Sequence, residues 1–83
     1  MPQELALYED LSARENLEYW GAAYGLRRPN LQPRVDAVLE QIGLADRAKD
    51  LVSKFSGGMK RRLNFGCALV HDLEVGRLAT QAR

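Results

Sequence analysis

The stretch Phe55-Ser56-Gly57-Gly58-Met59-Lys60-Arg61-Arg62-Leu63 sets two glycines against the first turn of an amphipathic helix. Ser56 is suited to cap that helix, because a serine hydroxyl accepts a backbone N–H of the first turn. Gly57 and Gly58 carry no Cβ, so a group from outside can come close to the backbone. The unpaired N–H groups and the positive end of the helix dipole face that approach, which suits an anion. Lys60, Arg61 and Arg62 add formal positive charge in the same turn. Phosphate is the guest that fits. On its own the nonamer also reads as an ordinary turn and helix start, and its basic run as a solvated helix face, so the rest of the chain has to decide.

Downstream, Met59, Leu63, Cys67 and Val70 share one face of a helix running from about Gly57 to His71. Upstream, Leu51 to Phe55 reads as a loop, and Leu44 to Asp50 as a short helix, polar over Asp46 to Lys49. Before it, Leu31, Val35, Val38, Leu39 and Ile42 form an apolar stripe that Gly43 ends. Pro29 disfavours helical geometry at the residue before it and Pro33 fits only a first turn, so this helix is predicted to start between Asn30 and Pro33. Ser12-Ala13-Arg14-Glu15 is a capping box. Behind it Ala13, Leu17, Trp20 and Tyr24 recur at helical spacing, and Gly25 sits at the stop. Residues 1–11 read as an incoming loop. With no strand pattern and no internal repeat, about four helical segments on short loops predict a small all-α unit.

Composition narrows the function classes. The 83 residues make one small domain, and a chain of this size buries only about 60% of the surface its unfolded form exposes. Twelve basic and eleven acidic residues leave a net charge of +1, too balanced for a protein that grips nucleic-acid backbone. No apolar run is long enough to span a bilayer, and Met1-Pro2-Gln3-Glu4 lacks the basic-then-apolar pattern of a secretory signal. Cys67 is the sole cysteine; it cannot form an intramolecular disulfide, fits a reducing compartment and reads as a small core residue. His71 is given no catalytic role. The chain has no Gly-x-x-x-x-Gly-Lys-Ser/Thr loop, no Cys/His cluster for a metal and no nucleophile–base set, so no catalytic residue is assigned. A helix start that suits an anion, without a nucleotide cradle, is half a site.

Half-sites of this kind are used by ATP-binding cassette (ABC) transporter ATPases, and the chain resembles part of one. Phe55-Ser56-Gly57-Gly58-Met59 resembles the family signature, usually Leu-Ser-Gly-Gly-Gln. Pro2-Gln3 resembles the end of the Q-loop, and Leu7 to Leu17 the segment that opens the helical subdomain. Val38 to Leu44 resembles the helix before the signature, and Leu63 to Asp72 the helix after it. The resemblance covers residues 2–72, and the shared order of the pieces is what makes it specific. The Gly-Met-Lys-Arg-Arg-Leu run looks closest to bacterial drug- and antibiotic-export ATPases.

The resemblance implies a division of the chain: Q-loop end and lead-in over 1–11, the helical subdomain over 12–72 with the signature at 55–59, and a diverged or non-native tail over 73–83. It implies that Ser56, with the Gly57 and Gly58 amides, contacts the γ-phosphate of an ATP held by another cassette. Phe55, Met59 and Lys60 flank that contact, and Gln3 lies near the magnesium ion and the attacking water. ATP and Mg2+ are then cofactors of the parent ATPase, not tight ligands of this chain. The implied partners are a second cassette and a transmembrane subunit facing Asp50 to Lys54, with no nucleic acid. The implied location is cytoplasmic, peripheral at the inner face of the cell membrane.

The departures matter too. Phe55 and Met59 stand where the family has Leu and Gln, and the tail lacks the Pro and the apolar strand ending in Asp-Glu. The isolated chain is therefore expected to be inactive, and to self-associate through Leu5, Leu7, Trp20 or Leu73. The alternatives are a helical DNA-binding module using Lys60 to Arg62, and a helical protein-interaction adaptor.

Overall fold

A computed structural model describes residues 6–82, with side chains described over 6–27 and 29–70. Gln3 and Leu5 lie outside the described residues, as do the side chains of His71 and Leu73.

The capping box nucleates the first helix, α1 (Ala13–Ala23). Ser12 Oγ accepts the Glu15 N–H at 3.1 Å, and Glu15 Oε1 accepts the Ser12 N–H at 2.9 Å. Two more first-turn amides reach across the chain: Arg14 N–H donates to the Ala48 carbonyl at 2.9 Å and Ala13 N–H to that of Asp50 at 3.3 Å. These are amides a helix start cannot satisfy internally. Opposite them, Leu44 to Asp50 forms only a 3-10 turn, Ala45–Arg47, in place of the expected short helix: the Arg47, Ala48 and Asp50 amides each bond the carbonyl three residues back.

Gly25, at φ +98°, closes α1, with Leu26 N–H on the Gly21 carbonyl at 2.9 Å and Gly25 N–H on that of Ala22 at 3.0 Å. Tyr24 therefore caps the end and is exposed, not a member of the buried face. The second helix, α2 (Arg28–Ile42), starts earlier than expected and carries Pro33 in its interior. Pro29 supplies the preset φ of the first turn, Asn30 and Leu31 both donate to the Arg27 carbonyl, and Pro33 forfeits one ladder bond without ending the helix. Gly43 ends α2 at φ +76°.

A second 3-10 turn, Val52–Lys54, leads to the last helix, α3 (Gly57–Ala82). It runs on beyond His71, where the sequence suggested an end. Residues 73–82 hold no proline, and two leucines, two alanines and single glutamate, arginine and glutamine residues among them favour helix.

The three helices pack on one another, and the fold is all-α, with a lone antiparallel bridge between Ser12 and Leu51 and no strand among the described residues. Leu17 of α1, Val35, Val38 and Leu39 of α2, and Leu63, Cys67 and Val70 of α3 are buried together. Leu44, Val52 and Phe55 close the core from the connections. Two glycines let the helices cross closely. A Cβ on Gly21 would stand 2.6 Å from Leu31 Cδ1, and one on Gly66 would stand 2.8 Å from Ile42 Cδ1 and 3.1 Å from Val38 Cγ1.

Candidate functional site

Ser56 is the N-cap of α3, as its sequence position predicts. Its Oγ accepts the Met59 N–H at 3.2 Å and its carbonyl accepts the Lys60 N–H at 2.9 Å. A hydroxyl that accepts one bond still holds its own proton, so Ser56 can donate to an approaching oxygen.

The residues on either side fix the corner. Phe55 is extended and its ring is buried in the core, while its N–H bonds the Val52 carbonyl at 2.9 Å. Met59 is half-buried against the same core. Two apolar plugs therefore point inward and leave Ser56, Gly57 and Gly58 exposed between them. Phe55 and Met59 thus act as anchors, and the exchange from Leu and Gln leaves the exposed triplet in place.

Neither glycine is there for the sake of the chain. Neither has a positive φ, a Cβ on Gly57 would meet nothing within 4 Å, and one on Gly58 would meet only Ser56 Oγ at 3.9 Å. Among the described residues, neither amide has a hydrogen-bond acceptor. The corner offers two unpaired backbone N–H groups and a hydroxyl proton, at the positive end of a long helix dipole, and so matches an anion with several acceptor oxygens.

The basic run does not form one patch. Lys60 Nζ donates to Glu9 Oε2 at 3.0 Å. Arg62 Nη1 would lie 3.7 Å from a Cβ on Gly43, which puts its guanidinium at the C-terminal end of α2, where the dipole favours a cation. Arg61 is exposed. This divergence argues against the three residues acting together on a nucleic-acid backbone.

Among the described residues, no group of three His, Cys, Asp or Glu side chains could hold a metal ion, and no helix is long and apolar enough to cross a membrane. Cys67 is fully buried and its thiol is pushed up to about 12 by burial, so it packs and does not react. Beside the corner lies a depression of about 410 Å³, lined by Arg47, Lys49, Asp50, Leu51, Lys54 and Phe55. Leu7 and Trp20 are half-buried against the core, and Trp20 Nε1 donates to the Ala6 carbonyl at 3.1 Å. Among the described residues the large exposed apolar groups are instead Tyr8, Tyr19, Tyr24, Leu51 and Phe65.

A family model described as ABC transporter matches residues 1–76. The chain belongs to the ABC transporter family. It is 53% identical over 75 residues to a linearmycin resistance ATP-binding protein of Bacillus subtilis, covering 90% of this chain and 24% of that protein. A daunorubicin resistance ATP-binding protein of Streptomyces coeruleorubidus is 40% identical over 73 residues, covering 88% and 23%. A doxorubicin resistance ATP-binding protein of Mycobacterium tuberculosis is 36% identical over 76 residues, covering 92% and 23%. The chain thus spans about a quarter of the length of these curated relatives.

Two residues around the site have no assigned role in the sequence reading. Asn16 is fully buried: its Oδ1 accepts the Tyr8 N–H at 2.8 Å, and its Nδ2 donates to the Tyr8 and Ser12 carbonyls at 3.0 and 2.9 Å. Its place one helical turn after Ala13 and beside Leu17 was a signal that it faces inward. Glu9 had no such signal, since its ion-pair partner lies 51 residues away.

Proposed function

We propose that the Ser56-Gly57-Gly58 corner caps the γ-phosphate of an ATP bound, with Mg2+, by the P-loop of a second cassette. What carries this reading is the pair of exposed glycines whose amides have no described acceptor and whose missing Cβ atoms serve nothing inside the chain. An incoming phosphate needs both properties: donors already aimed outward, and no side chain in the way. The Ser56 hydroxyl adds a donor, and Phe55 and Met59 hold the corner's shape from below. Gln3 takes the Q-loop role beside the magnesium ion and the attacking water, on the resemblance of Pro2-Gln3.

In this reading the parent ATPase couples ATP hydrolysis to export through a membrane, from its cytoplasmic face. The transmembrane subunit docks on Asp50 to Lys54, beside the depression that Leu51 and Phe55 line together with Arg47, Lys49, Asp50 and Lys54. Residues 73–83 are assigned to no part of the ATPase machinery. The isolated chain neither hydrolyses ATP nor binds it tightly, and it self-associates through exposed groups such as Leu51 and Phe65.

The test is capture of the chain by a separate P-loop-bearing cassette, with and without ATP. Capture is expected only with ATP, and Gly58→Asp, which puts a carboxylate against the phosphate, is expected to abolish it. Capture indifferent to ATP, or micromolar ATP binding by the chain alone in a calorimeter, overturns the assignment.

A further inference from the structure

Glu9 touches the chain on both sides of the corner. Its carbonyl accepts the Ser53 N–H at 2.9 Å, and its carboxylate accepts from Lys60 Nζ at 3.0 Å. Ser53 lies three residues before Ser56 and Lys60 four after it, so a single lead-in residue spans the exposed triplet. The span is anchored. Asn16 grips both the N–H and the carbonyl of Tyr8, the residue just before Glu9. On the other side the Leu11 carbonyl accepts the Val52 N–H at 3.0 Å.

An ion pair with both side chains this exposed adds little to stability, because water screens it and holding two long side chains costs entropy. Its value lies in where it acts. Lys60 sits in the first turn of α3, the turn whose amides form the corner. Fixing Lys60 to Glu9 ties that turn to the lead-in, through one ionic contact and one backbone contact.

We propose that Glu9 is a positioning residue for the corner: it joins the lead-in (residues 6–11) and the first turn of α3 into one unit, so that a displacement of either moves Gly57 and Gly58. The proposal rests on the phosphate-capping reading above for its functional consequence, but its structural part can be tested independently. Glu9 does not touch the phosphate. It sets where the donors stand.

The experiment uses the full chain carrying Glu9→Gln, the charge-reversed pair Glu9→Lys with Lys60→Glu, and Glu40→Gln as a control on the exposed face of α2. Backbone order parameters report fast motion at the Gly57 and Gly58 amides. ATP-dependent capture by a P-loop-bearing cassette reports function. Glu9→Gln is expected to lower the order parameters of both glycines and to weaken capture roughly two- to fivefold, the range of an exposed pair. The reversed pair restores the order parameters, Glu40→Gln changes neither readout, and raising the salt narrows the gap between the parent chain and Glu9→Gln. Unchanged glycine mobility in Glu9→Gln, or no recovery of glycine order in the reversed pair, overturns the proposal. Loss of ATP dependence in the unmodified chain sinks the phosphate reading instead, and leaves the mobility measurement to judge Glu9.

Discussion

Gly66 and Gly57 lie on the same helix, nine residues apart, and are glycines for opposite reasons. At Gly66 the space of a side chain is already filled by Ile42 and Val38 of α2, and at Gly21 by Leu31, Val70 and Leu26. The missing Cβ atoms there are what let the three helices share one core. At Gly57 the same space is empty, and at Gly58 it holds only the neighbouring Ser56 hydroxyl. A glycine that packing explains needs no partner. One that neither packing nor a positive φ explains points to something outside the chain.

Three substitutions can break or sharpen this contrast. The largest effect is expected from Gly66→Leu, whose side chain must displace the Ile42 and Val38 methyls. Overpacking of this kind costs about 3 kcal/mol, enough to unfold much of a domain this small, and urea denaturation should show it as a lowered midpoint. Next comes Ser56→Ala, which removes the acceptor of the Met59 N–H. The lost cap should cost about 1 kcal/mol in the same assay. A stability unaffected by Ser56→Ala would mean the serine is held for its hydroxyl proton alone.

The smallest effect has the opposite sign. Gly58→Ala meets only Ser56 Oγ at 3.9 Å and needs no change of φ, so it should stabilise the chain by about 0.5 kcal/mol while weakening ATP-dependent capture. A destabilised Gly58→Ala would show that the corner serves the fold after all, and the contrast with Gly66 would vanish.

Much of the fold was legible because its signals are local. The Ser12–Glu15 box, the stops at Gly25 and Gly43, and the stripe from Val35 to Ile42 each need only the period of a helix or the chemistry of its ends. The readings that missed were those a distant residue decides. Leu44 to Asp50 has a helical look, yet it closes i→i+3 bonds in a 3-10 turn and docks on the start of α1, where Ala13 and Arg14 donate to its Asp50 and Ala48 carbonyls. Pro33 predicts a helix start no earlier than Asn30, whereas α2 starts at Arg28 and absorbs it. Leu7 and Trp20 looked like free surface and are half-buried, because Trp20 reaches back to Ala6 and packs on the core.

The amino-acid order alone determined the kind of corner: a capping serine, two glycines and a helix start present free N–H groups through the bonding habits of those residues. Tertiary structure decided what only contact across the chain can. It turned Phe55 and Met59 inward as plugs, drew Lys60 to Glu9 and Arg62 to the end of α2, and left Gly57 and Gly58 in open space. The division has a physical cause: caps and helical periods act over a few residues, whereas burial and ion pairing depend on which distant segments the fold brings together.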